Sequence, residues 1–169
     1  MTKKIHFILT GGTIDSYYEP IKDTAIPLEH SVIPKYINNL NLYNSVKFTE
    51  VCMKDSRALT RRDIKKVLDV IEKSSDKLFI ITHGTSTMPD TARYLKANLK
   101  RKATIIFTAA MTPMAEFTMS DGGFNLGYSV ARVQDIEPGI YVCMNGKIFE
   151  PEEIVKTLSE GRFSSIFMK

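Results

Sequence analysis

Two short runs carry hydroxyls that could do chemistry. The first is Ile8-Leu9-Thr10-Gly11-Gly12-Thr13-Ile14, and the second is Ile80-Ile81-Thr82-His83-Gly84-Thr85-Ser86-Thr87-Met88. Each ends an apolar, strand-like stretch and opens a glycine-containing loop that exposes a hydroxyl. Loops at the carboxyl ends of parallel strands are where α/β sheets bind ligands. Glycines there let the backbone approach a ligand closely and leave N–H groups free. The Gly11-Gly12 loop has three readings: a phosphate cradle, a structural turn, and a seat for a threonine nucleophile. The phosphate reading needs G-x-G-x-x-G or G-x-x-x-x-G-K-[ST], and neither pattern occurs.

A threonine hydroxyl is a poor nucleophile until a base takes its proton. A lysine can do so only when burial or a positive neighbour depresses its pKa. His83 is another candidate base, although a histidine that ends an apolar strand also fits a structural role. Loop N–H groups beside Thr13 are candidate oxyanion donors, a contribution of roughly 3–4 kcal/mol per donor in other hydrolases. Acyl transfer through an ester needs no metal or organic cofactor, and none is implied. The two cysteines, Cys52 and Cys143, sit in strand-like runs without zinc-ligand spacing and read as buried thiols.

The elements that must position these groups alternate along the chain. Strand-like runs fall at 5–9, 46–53, 78–82, 104–108 and 140–144. Several are apolar without alternation, as expected when helices cover both faces of a parallel sheet. A helix begins at Thr60, where Asp63 completes a capping box, and Ile64, Val67, Leu68 and Ile71 recur at helical spacing. A second helix follows Thr87, with Pro89 in its first turn and Ala92, Leu95 and Leu99 as its apolar stripe. A third spans 123–134, with Leu126, Val130 and Val133 inward, and a shorter one lies near 33–40. Residues 15–27 read as a loop, placed to act as a lid, and the tail from 149 reads as one short helix at 151–158. The pattern predicts an α/β fold: three layers, a mainly parallel sheet and helices on both faces, in a single domain over 1–169.

With 169 residues, 43% hydrophobic and 25% charged, the chain is ordinary for a globular domain that buries a core. No stretch approaches the roughly 20 apolar residues of a membrane span. Met1-Thr2-Lys3-Lys4 leads into a strand with no apolar signal region, so a cytoplasmic protein is expected. The net charge is +4, with basic clusters at Arg61, Arg62, Lys65, Lys66 and at Lys96, Lys100, Arg101, Lys102. These read as solvated helix faces. Acidic residues interleave and no recognition motif accompanies them, so neither a nucleic-acid nor a membrane partner is expected.

Taken together, three stretches resemble the asparaginase/glutaminase family of threonine amidohydrolases. Thr10-Gly11-Gly12-Thr13-Ile14 is similar to its first motif. Ile81-Thr82-His83-Gly84-Thr85-Ser86-Thr87-Met88 is similar to its second, except at Ser86. Ala109-Ala110-Met111-Thr112-Pro113, continuing to Ser120-Asp121-Gly122-Gly123-Phe124-Asn125-Leu126, resembles its third. The resemblance covers nearly the whole chain, which is about half the usual family length and looks like a short, single-domain member without the smaller C-terminal domain.

The resemblance implies a hydrolase that releases ammonia from a small side-chain amide through a threonyl acyl-enzyme, with L-asparagine the leading substrate. Thr13 matches the nucleophile. Thr85 matches the second threonine, which works with a lysine. Lys156, eleven residues after Asn145, falls where the family places that lysine. Ser56 looks like the serine that holds the substrate α-carboxylate, and Ala110 like the residue whose backbone faces the amide. The loop tyrosine is Tyr17 or Tyr18, with Tyr18 preferred. Ser86 stands where the family has an aspartate that binds the α-ammonium, and Arg57 replaces a neutral glutamine. The resemblance therefore also allows an amidase for a substrate lacking the free α-ammonium, or a ligand-binding module without catalysis. An acidic residue from a neighbouring subunit completes the family's site, so a homo-oligomer is expected.

Overall fold

The computed structural model describes residues 3–115 and 118–167; Met1, Thr2, Glu116, Phe117, Met168 and Lys169 lie outside the described residues. In chain order come β1 (Ile5–Gly11), β2 (Ser16–Glu19), β3 (Thr24–Pro27), α1 (Ile33–Asn39), β4 (Val46–Lys54), α2 (Arg61–Lys73) and β5 (Leu78–Thr82). Then follow α3 (Met88–Asn98), β6 (Thr104–Thr108), α4 (Gly122–Arg132), β7 (Gly139–Met144), β8 (Lys147–Phe149), β9 (Ile154–Thr157) and β10 (Arg162–Ser165).

The apolar runs become the inner strands of a six-stranded sheet of order β4-β1-β5-β6-β7-β8. All neighbours are parallel except β8, which returns antiparallel along β7. β1, β5 and β6 are buried along their whole length, because helices cover both faces. On one face, Ile8, Phe79, Ile81 and Phe107 pack with Val67 and Ile71 of α2 and Ala92 and Leu95 of α3. On the other, Phe7, Leu9, Ile80 and Ile106 pack with Ile33 and Ile37 of α1 and Leu126 near the start of α4. The sheet and both helix layers are those expected from the sequence. Because β4, β1, β5, β6 and β7 all run parallel, the loops after β1, β4, β5 and β6 gather at the strands' carboxyl ends.

The Thr60 capping box forms as read. The Thr60 hydroxyl accepts from Asp63 N at 3.2 Å, and Asp63 Oδ2 accepts from Thr60 N at 3.0 Å. Lys54 at the end of β4 also donates to Asp63 Oδ2, at 2.7 Å, which pins the start of α2 to the sheet. That bond and the Thr60 contacts hold the Asp63 carboxyl down to a pKa of about 2. Arg61, Arg62, Lys65 and Lys66 lie exposed along α2. In the second basic cluster, Lys96 pairs with Glu150 and Glu152, and Arg101 is half-buried, donating to the carbonyls of Ile71, Ser74 and Asp76. Burial pushes the Cys52 and Cys143 thiols up, to about 11 and about 12, so both stay protonated.

Two local expectations are corrected. Residues 15–27 are not an irregular loop: after one turn of 3-10 helix at Thr13–Asp15, β2 and β3 form an antiparallel hairpin. Tyr17 and Tyr18 supply strand propensity there, and Asp23 takes the positive φ (47°) that closes the turn. The tail holds no helix at 151–158. Pro151 lies in a turn, and Ile154–Thr157 is a strand paired with β10. The β-branched Ile154, Val155 and Thr157 favour the extended form. Gly161, at φ 61°, lets the chain fold back.

Candidate active site

The site is built where three loop backbones touch. Gly12 has φ +83°, and a Cβ placed on it would lie 2.4 Å from the Cα and N of Gly84. A Cβ on Gly84 would lie 2.6 Å from the Cβ of Ser56. No larger residue fits either contact. The Thr13 loop, the Thr85 loop and the Ser56 turn are therefore stacked through glycine. Gly12 N donates to Lys54 O at 2.8 Å, which fixes the first loop against β4. That N–H is spent and is not an oxyanion donor. Thr87 Oγ1 donates to Ser56 O at 3.0 Å, which ties the second loop to the third.

Thr13 opens the 3-10 turn and is half-buried; no described residue hydrogen-bonds its hydroxyl. Asp15, wholly buried two residues on, accepts from Ser31 Oγ at 2.8 Å and from Val32 N at 2.9 Å. It thereby anchors the turn to the start of α1. Burial raises its carboxyl to about 6, against those hydrogen bonds.

Thr85 is buried, and Lys156 Nζ donates to Thr85 Oγ1 at 2.7 Å. This contact spans 71 residues and joins the two groups that the motif reading assigned to one pair. Burial lowers the Lys156 pKa, and the Arg57 guanidinium lowers it further, while Asp55 opposes the shift. Both routes by which a lysine becomes a base are thus present. Arg57 itself is turned onto Asp55, with Nε to Oδ1 at 3.0 Å and Nη2 to Oδ2 at 3.4 Å. Asp55 was not foreseen; its signal was the Asp-Ser-Arg run, where the carboxylate also accepts from Arg57 N at the start of the Ser56–Ala58 turn.

Ser56 is buried beside Gly84, and Ser86 is exposed. Ala110 is wholly buried. Its loop is held by Asp121, which accepts from Met111 N and Thr112 N at 3.0 Å, and Met114 N reaches Ile14 O at 3.3 Å. The third motif thereby joins the first. Tyr18 is exposed on the hairpin, and its hydroxyl donates to Asp23 Oδ1 at 2.5 Å; Tyr17 faces the other way on the same strand. His83 is buried and donates from Nδ1 to Gly84 O at 2.8 Å. Burial lowers its pKa to about 4, so it is a neutral structural group that shapes the turn before Thr85. Among the described residues, no group of three or more His, Cys, Asp or Glu side chains is placed to hold a metal ion.

A mainly parallel sheet flanked by helices, with glycine-stacked loops at its carboxyl edge and a half-buried lysine on a threonine hydroxyl, defines an α/β protein with a candidate site for hydroxyl chemistry. The chain belongs to the asparaginase family, whose N-terminal domain model matches residues 4–166. It is 26% identical over 167 residues to the glutaminase-asparaginase of Acinetobacter glutaminasificans, covering 90% of this chain and 49% of that one. It is 27% identical over 163 residues to a probable periplasmic L-asparaginase of Haemophilus influenzae, covering 90% and 46%. The solved structure of a probable cytoplasmic L-asparaginase from Campylobacter jejuni superposes with a TM-score of 0.83 at 25% identity, covering 99% of this chain and 54% of that one. The chain spans about half the length of the curated relatives it matches. No helix among the described residues is long and apolar enough to cross a membrane.

Proposed function

We propose that the protein is an amidohydrolase that releases ammonia from a small side-chain amide, L-asparagine first among them, through an ester on Thr13. The observation that carries this reading is the 2.7 Å contact of Lys156 with Thr85, in a loop stacked on the one that bears Thr13. Neutral Lys156 takes a proton by way of Thr85. Thr13 Oγ bonds to the amide carbon, the C–N bond breaks, and the nitrogen leaves with a proton as ammonia. Water then attacks the ester, its oxygen bonds to the acyl carbon, the C–Oγ bond breaks, and a proton from that water restores the Thr13 hydroxyl. Ser56 holds the substrate carboxylate, the Ala110 backbone faces the amide, and Tyr18 closes the site from its hairpin. We further propose a homo-oligomer, because Val155, Leu158, Ile166 and Phe167 leave apolar surface exposed around the Lys156 strand; a monomeric mass by light scattering would remove that part.

The test is ammonia release from asparagine, glutamine and their deaminated or N-acylated analogues, with Thr13→Ala as control. Release that disappears in the control supports the reading. Tight binding without turnover supports a binding module instead.

Ser86 favours a second reading. It offers a hydroxyl where a substrate ammonium would need a carboxylate, and the nearby Asp55 carboxylate is already held by Arg57. A substrate without a free α-ammonium fits that balance better. Ser86→Asp then raises kcat/KM on asparagine by roughly thirty- to 150-fold, the worth of a charge-assisted contact of about 2–3 kcal/mol. No gain in this variant removes the second reading.

A further inference from the structure

Lys156 is held by a ribbon, not by the sheet. Among the described residues, β9 and β10 pair only with each other, and Lys156 stands opposite Phe163. The ribbon's apolar side, Ile154 and Phe163, is buried in the core, which fixes its position but not the fine setting of the lysine above Thr85.

A chain of two amides reaches it from the third motif. Asn125, wholly buried near the start of α4, donates from Nδ2 to Ala109 O and to Asp121 Oδ2, each at 3.0 Å. Its Oδ1 accepts from Asn145 N at 3.2 Å. Asn145 sits in the exposed turn between β7 and β8, and its own Oδ1 accepts from Phe163 N at 3.0 Å, 18 residues along the chain. The same Asp121 holds the loop beside Ala110. The buried amide of Asn125 and the exposed amide of Asn145 thus together connect the loop assigned to face the substrate with the strand across from the lysine.

We propose that Asn125 and Asn145 are positioning residues: their side chains fix the backbone opposite Lys156 and so keep its amine on the Thr85 hydroxyl. The turn alone would account for an asparagine at 145, since its φ is 54° and Gly146 follows at 73°. Turn geometry does not require an acceptor aimed at Phe163 N, and glycine would satisfy the same φ. That difference makes the role testable.

The experiment compares Asn145→Gly with Asn145→Asp in the full chain. Glycine keeps the turn and removes the acceptor; aspartate keeps both. The first readout is the titration of Lys156, followed by NMR of reductively 13C-methylated protein and assigned by its loss in Lys156→Arg. It does not depend on turnover. The second is kcat and KM for asparagine, which rests on the amidase reading. Asn145→Gly is expected to raise the Lys156 pKa as the amine leaves its partly buried seat. It is also expected to lower kcat roughly five- to tenfold, the worth of one hydrogen bond, with KM within about twofold. Asn145→Asp is expected to keep kcat within about threefold of the parent. An unchanged Lys156 titration in the glycine variant, or no recovery with aspartate, overturns the proposal. If no amide is turned over at all, the amidase reading fails and the titration alone decides the relay.

Discussion

At the scale of single residues, the group that sets the chemistry is the neighbour of the neighbour. Arg57 lowers the Lys156 pKa, and Asp55 both restrains Arg57 and opposes it. Replacing Arg57 with Gln removes a cation and frees an anion, and both changes raise the Lys156 pKa. If neutral Lys156 is the base, the acidic limb of kcat/KM against pH then moves to higher pH. Asp55→Asn removes the opposing anion and moves the limb the other way. A kcat/KM profile on asparagine measures both; shifts of the same sign, or none, would show that Lys156 is not the base. This triad of charges also revises the tally at the site, because Arg57 is not a free cation awaiting a substrate carboxylate.

At the scale of elements, the site depends on how closely three loops approach. Gly84→Ala drives a methyl to within 2.6 Å of Ser56 Cβ, so the Thr85 loop must lift away from the Ser56 turn. The expected result is at least a tenfold fall in kcat/KM with the far-UV signature retained; full activity would show that the stack does not position the loops. The sheet and its helices were legible because Ile5, Phe79 or Ile106 can only lie in strands buried on both faces. The capping box at Thr60 was legible from two residues three apart. The ribbon was not. Ile154-Val155-Lys156-Thr157 is too short to display a period, and its strand state comes from pairing with 162–165 across Gly161. The family resemblance thus singled out Lys156, while its element was misread as a helix. The β2–β3 hairpin hid behind Pro20 and Pro27, which read as loop punctuation. Asn125 and Asn145 make contacts across the fold that no local pattern marks, whereas Asp55 had a local signal in its run with Ser56 and Arg57.

At the scale of the whole molecule, buried titrating groups predict how stability follows pH. His6 and His83 have pKa values lowered to about 4 by burial, so the folded state excludes protons that the unfolded chain takes up near 6.5. Their contribution is present above pH 6.5 and is lost as pH falls towards 4. Asp15, raised to about 6, acts in the opposite sense: its contribution is present below about 3.8 and is lost as pH rises through 6. Each shift is worth about 3 kcal/mol, so two histidines outweigh one aspartate and the fold loses a few kcal/mol between pH 6.5 and 4. Urea midpoints at pH 7, 5.5 and 4.5 should fall in that order, and Asp15→Asn should steepen the fall; a flat profile would contradict the account. The six-stranded sheet and the Lys156 ribbon need not fail together. Because, among the described residues, β9 and β10 share no strand-to-strand hydrogen bond with the main sheet, the ribbon can open as a local unit while the sheet stays intact. A warmed sample would then report itself folded by its backbone signal after Lys156 had already left Thr85, so shelf life for this protein is to be judged by the state of that contact and not by melting temperature.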